Sequence, residues 1–106
     1  MRKTFYNDTF QVKFSLTITD EPRPYFNGRG TTYNEAGDEV IHIIISPKES
    51  AGSLAHEIAH AIDFMYDAMG IERSTPTDEP YAYMVGWLTN KMLPVFQKNQ
   101  IFKNKK

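Results

Sequence analysis

His56-Glu57-Ile58-Ala59-His60 is the part of this 106-residue chain whose residue types and spacing suit chemistry. In a helix, residues four apart lie on one face a turn apart, so His56 and His60 can aim two imidazoles at a single point. Nitrogens arranged in that way can each approach a zinc ion at about 2.0–2.1 Å. Glu57 projects about 100° round the helix from His56. A carboxylate there can reach a water beside the metal without being a ligand, take its proton and pass it to a leaving amine. These are the groups that metal-assisted hydrolysis requires. The competing reading is a solvated helix carrying two unrelated histidines and a surface glutamate. By chance the five-residue pattern arises in roughly one 100-residue chain in several hundred. Here it takes two of the chain's three histidines.

Two histidines are not enough for a catalytic zinc, which usually has three protein ligands and a fourth position open to solvent or substrate. The acidic candidates downstream are Asp63, Asp67, Glu72, Asp78 and Glu79. Asp63 shares a side of the helix with His60. One rigid helix does not easily turn three side chains to one tetrahedral centre, so Asp63 is read as an outer partner or a solvated group. Glu79 is preferred as the third ligand. It follows His60 by nineteen residues, and Pro80 disfavours helical geometry before it, which predicts an N-cap or first-turn position on a second helix. Asp78 is the second choice, and ordinary helix-end electrostatics would account for either acid. Tyr81 and Tyr83 follow closely. Either hydroxyl could donate to a developing oxyanion, with Tyr83 the catalytic candidate, against the alternative of simple packing. His42 is read as a structural or surface histidine, Gly86 as a point of close helix approach, and Trp87 as core.

The elements that must position these groups can be read from periodicity. Phe10, Val12, Phe14, Leu16 and Ile18 alternate with polar residues, which predicts a strand over 10–18 with one buried face. Pro22 and Pro24 end it, and Asn27-Gly28-Arg29-Gly30 is the strongest breaker after it. Thr31-Thr32-Tyr33 is read as a short strand. Glu35-Ala36-Gly37-Asp38 is read as a hairpin connection into Glu39–Ile45, whose apolar end predicts cover on both faces. Either Ser46 or Ser50 can cap the helix that follows. Leu54, Ile58, Ala61, Ile62 and Met65 form its apolar stripe, and Gly70 its stop. Tyr81, Met84, Val85, Leu88 and Met92 give a second helix its own apolar face. Pro94 is expected to end or kink that helix, with Val95, Phe96, Ile101 and Phe102 docking a last turn on the core. The expected class is α+β: a small, mostly antiparallel, twisted sheet from the N-terminal half, packed on an active-site helix and a second, C-terminal helix.

Length and composition fit one domain over 1–106, with 41% hydrophobic residues and 13% aromatics. Twelve basic and thirteen acidic residues leave a net charge of −1. No nucleic-acid or membrane partner is expected from that balance, and the basic run Lys103-Asn104-Lys105-Lys106 is read as a fraying tail. The chain has no cysteine, so neither disulfides nor Cys-ligated zinc can hold it together. Nothing after Met1-Arg2-Lys3 has the pattern of a signal peptide, and a cytoplasmic, monomeric protein is expected.

His56 to His60 followed by a glutamate some twenty residues on resembles the glutamate-type zinc metallopeptidases, the gluzincins. More narrowly, the stretch from Leu54 to Leu88 looks like small phage- and prophage-encoded metallopeptidases. Its most telling part is Asp78-Glu79-Pro80-Tyr81-Ala82-Tyr83-Met84-Val85-Gly86-Trp87. The resemblance covers about a third of the chain. It implies a minimal zincin-like domain, a Zn2+ cofactor held by His56, His60 and Glu79, and Glu57 as general base. It further implies a protein or peptide substrate, and work in the host cytoplasm if the chain is phage-encoded. Two departures stand out. Tyr83 occupies the place of the acidic residue that gluzincins usually carry four after the glutamate ligand. Tyr66 stands where a metzincin would have its third histidine, which excludes that class. Two other function classes remain beside a peptidase: a zinc-containing, non-catalytic module that binds a partner protein, and a structural interaction protein with an accidental motif.

Overall fold

Alternation over 10–18 does produce a strand, but it begins at Val12, as β2 (Val12–Ile18). Gln11 takes the left-handed conformation at φ 55°, and the Phe10 N–H bonds Asn7 Oδ1 at 2.8 Å, so Phe10 and Gln11 belong to a hairpin turn. The other arm of that hairpin is β1 (Arg2–Asn7). Hydrophobic alternation does not reveal it, because an edge strand with mostly exposed side chains needs no apolar face. The computed structural model describes residues 1–35, 37–72 and 74–101, without the side chains of 75–77.

β3 (Gly30–Tyr33) and β4 (Val40–Ile45) form a second antiparallel hairpin; Ala36, in its connection, lies outside the described residues. The sheet order is β1-β2-β4-β3, and the central pair β2–β4 is parallel. The sheet is therefore mixed, antiparallel in its two outer pairings and parallel between them. Hydrophobic period reports which face a strand buries and is silent on its direction, so the parallel pairing is not legible from it. Phe14, Leu16 and Ile18 share the inner face with Ile41, Ile43 and Ile45, all buried. Ile44 points the other way and is also buried, as the apolar end of β4 predicts.

Both helices pack on the inner face. α1 (Ala51–Ala68) starts at Ser50, not Ser46: Ser50 is the N-cap and its Oγ accepts from the Ser53 N–H at 3.1 Å. Ser46 instead makes a turn, with the Glu49 N–H bonded to its carbonyl at 3.1 Å. Leu54, Ile58, Ala61, Ile62 and Met65 are all buried. Gly70 ends the helix at φ 70°, and the Ile71 N–H reaches back to the Tyr66 carbonyl at 2.9 Å.

α2 (Thr75–Asn99) contains both Pro80 and Pro94. It starts before Glu79 and runs on past Pro94, where local proline rules predict a start at Glu79 and an end or a kink at Pro94. Each interior proline costs about 3 kcal/mol. Met84, Leu88, Met92 and Phe96 are fully buried, and at roughly 1.5–3 kcal/mol apiece their burial is enough to offset both prolines. Gly86 is exposed, and a Cβ there would meet nothing within 4 Å, so close helix approach is not its role. Val95 and Phe96 join the core. Ile101 is exposed although its N–H bonds the Pro47 carbonyl at 2.7 Å. Phe102 and the basic run after it lie outside the described residues. Among the described residues no helix is long and apolar enough to cross a membrane.

On the outer face His42 ties three segments together. Its Nε2–H donates to Asp38 Oδ2 at 2.7 Å, and Nδ1 lies 2.7 Å from the Ser15 hydroxyl. Its ring stacks on Tyr33 at 4.8 Å, which in turn stacks on Tyr25 at 4.9 Å. The hydrogen bond from His42, with a second from the Val40 N–H, holds the Asp38 carboxyl below its ordinary value of 3.8. A depressed folded pKa stabilises the protein fully above the unfolded value and fades as pH falls through the folded one. Asp38→Asn should therefore cost about 1 kcal/mol near neutral pH, as expected for a partly exposed charge-assisted bond. In urea unfolding, the gap between variant and parent should close as pH drops below 3.8. A gap independent of pH would remove Asp38 ionisation from the account.

Candidate metal centre

The second and third turns of α1 carry the motif. His56 and His60 are both exposed, with their Nε2 atoms 3.1 Å apart and their rings edge to face at 84°. Two nitrogens bound to one tetrahedral zinc at about 2.05 Å each would stand about 3.3 Å apart. The pair therefore fits a shared cation to within a few tenths of an ångström, and the donor chemistry suits zinc.

Glu57 is not the surface glutamate of the competing reading: only 8% of it is exposed. The Thr32 Oγ lies 2.6 Å from Glu57 Oε1 and 3.0 Å from its backbone carbonyl. With one proton to give, the hydroxyl serves the nearer, charged acceptor. Gly30 completes the berth, since a Cβ there would stand 3.2 Å from Oε2 and 3.3 Å from Cγ. Register explains how both residues arrive. Thr32 extends the inner-face row of Leu16 and Ile43, and Gly30 extends the row of Ile18 and Ile45. At the β3 edge the aliphatic rows thus give way to a hydroxyl and a bare backbone, and Glu57 fills the space.

A cleft of about 470 Å³ opens beside His56 and Glu57. Asn27, Arg29 and Gly30 form one wall, and Glu49, Ser50, Gly52 and Ser53 the other. Every lining side chain is polar or absent. Arg29 Nε meets Glu49 Oε2 at 3.4 Å across the mouth, and the Ser53 hydroxyl donates to Glu49 Oε1 at 2.8 Å.

From α2, the Tyr81 hydroxyl donates to Asp63 Oδ1 at 2.8 Å and lies 3.4 Å from the Ala59 carbonyl, while its ring meets Tyr66 edge on at 5.3 Å. Tyr81 is a brace between helices, and Asp63 is its partner. Tyr83 is 53% exposed. Glu79, the fifth residue of α2, is exposed; at 100° per residue it points about 140° away from the buried Met84. Among the described residues no three His, Cys, Asp or Glu side chains gather closely enough to hold a metal. The structure thus joins His56 to His60, sets Glu57 on the same cleft as His56, and leaves Glu79 and Asp78 outside that group.

Sequence spacing did not point to Thr32 and Gly30, which hold Glu57, or to the Arg29–Glu49 pair at the cleft mouth. The one available signal was the alternation of Gly30 and Thr32 on one face of a short strand. Comparisons with protein-family models, curated proteins and solved structures gave no match.

Removing the donor while keeping the shape isolates the Thr32 bond. Thr32→Val should destabilise the fold by about 1–3 kcal/mol, because it leaves a nearly buried carboxylate unpaired. Replacing both partners, in Thr32→Val with Glu57→Leu, should recover much of that loss in denaturant titrations. A neutral Thr32→Val would mean that something else holds Glu57.

Proposed function

We propose that this protein is a zinc-dependent peptidase acting on a protein or peptide substrate. The observation that carries the reading is the convergent His56–His60 pair next to a buried, hydrogen-bonded Glu57 on an open polar cleft. His56 and His60 supply two ligands. Glu79 would supply the third, as the gluzincin resemblance implies. On α2 it faces about 200° away from Tyr81, whose hydroxyl touches α1, so the first turns of α2 would have to rotate to bring it to the pair. When bound, zinc polarises a peptide carbonyl and makes a nearby water more acidic.

Glu57 is the general base. Thr32 fixes one of its oxygens, so the carboxylate has a set direction before substrate arrives, and the other oxygen, beside Gly30, is not held by that bond. Tyr83 is the candidate oxyanion donor, because the Tyr81 hydroxyl is engaged with Asp63 while Tyr83 stands in solvent. An extended substrate can add to β3, an edge strand whose inner face holds Glu57. β4 is paired on both sides and cannot serve in that way. A cysteine-free core has no need of an oxidising compartment, and cytoplasmic work as a monomer is part of this proposal.

Protein purified without chelator should carry close to one zinc per chain, and His56→Ala or His60→Ala should lose most of it. Glu79→Ala should weaken zinc binding at least about 10–100-fold, whereas Asp78→Ala should retain it. The reverse result would move the third ligand by one residue. Protein that stays metal-free when zinc is offered at neutral pH would end the proposal.

Glu57→Gln keeps the shape and removes the base. It should hold zinc and remain folded while hydrolysis of an unfolded protein falls by about 10²–10⁴-fold. Zinc binding without hydrolysis, in parent and variant alike, would favour the non-catalytic protein-binding module.

A further inference from the structure

We propose that the cleft beside His56 and Glu57 is a subsite for a neutral hydrogen-bonding side chain, a carboxamide above all. The proposal rests on the peptidase reading for its substrate, a peptide, but the geometry that supports it is separate. The cleft volume, about 470 Å³, is ample for a side chain and its flanking backbone. What distinguishes it is its lining. Asn27, Arg29, Glu49, Ser50 and Ser53 each carry a polar group, no aliphatic side chain and no Phe, Tyr or Trp is among the lining residues, and the two glycines add bare backbone.

An apolar side chain seated there would strip water from these groups and return no hydrogen bonds. Charged side chains fare differently according to sign. A carboxylate would meet Arg29 but also Glu49 and Glu57, and an ammonium would meet the two carboxylates but also the Arg29 guanidinium. A carboxamide avoids both conflicts, because it donates and accepts at once and carries no charge. The walls offer both halves of that exchange. Asn27 uses its Oδ1 for the Arg29 and Gly30 N–H groups, at 2.8 and 3.0 Å, which leaves its NH₂ as a donor. Arg29 is largely exposed, its side chain 79% accessible, and contacts Glu49 only through Nε at 3.4 Å. Its terminal nitrogens remain donors, and Glu49 Oε2 remains an acceptor at that long contact.

The test uses two capped tripeptides, alanine-glutamine-alanine and alanine-leucine-alanine, titrated into the isotope-labelled full chain without metal. The backbone amides of Gly30, Gly52 and Ser53 report on the cleft. The glutamine peptide should move them and bind at least about tenfold more tightly than the leucine peptide. In Arg29→Ala, a substitution at an exposed side chain, the two should come within about threefold of each other. Equal or tighter binding of the leucine peptide, or no response at these amides to either, would overturn the subsite. Glutamine-selective binding by a protein that takes up no zinc would leave the subsite standing and remove the peptidase.

Discussion

The hydrogen bond from Thr32 to Glu57, 2.6 Å long, joins an edge strand to a helix through a carboxylate that has little water of its own. Such a group has to be paired where it lies, or its burial costs more than the packing around it returns. β3 therefore has to lie close over the second turn of α1. Gly30 is the form that closeness takes in the backbone, since any side chain there would press on Glu57. The two histidines then face outward from the same turns, exposed and free to share a ligand.

Topology places the cleft. β4 leads almost directly into α1, and its last residue, Ile45, pairs with Gly30 at the start of β3. The Ser46 N–H continues that contact by bonding the Arg29 carbonyl at 2.8 Å. The start of β3 and the start of α1 are thereby brought side by side, and the groups around them are those that loops and caps favour: Asn, Gly, Ser and Glu. The polar character of the cleft follows from where it sits. The apolar rows of β2 and β4 end one strand short of it.

Legibility in the sequence divided along physical lines. The stripe from Leu54 to Met65 announced α1, and its spacing put His56 and His60 on one face, because helical period and ligand spacing are both local. β2, β3 and β4 were visible for the same reason. β1 was not, because its exposed face leaves no period. The parallel β2–β4 pairing was hidden because direction is a property of the connection. At Pro80 and Pro94 a local rule lost to tertiary packing: the buried Met84, Leu88, Met92 and Phe96 hold α2 together across both. The environment of Glu57 could not be read at all. It depends on a register between β3 and β4 and on a contact between β3 and α1, two long-range facts without local signature.

Thr32 and Tyr33 are neighbours in β3 and, like all neighbours in a strand, face opposite ways. Thr32 holds Glu57 on the inner face; Tyr33 lies in the stack of Tyr25 and His42 on the outer one. A single peptide bond separates the two, and the strand between β4 and solvent is four residues long. The aromatic stack and the berth of the carboxylate are thus built on opposite faces of the same short strand. Tyr33, whose ring never meets the cleft, stands one residue from the side chain that holds the cleft's carboxylate.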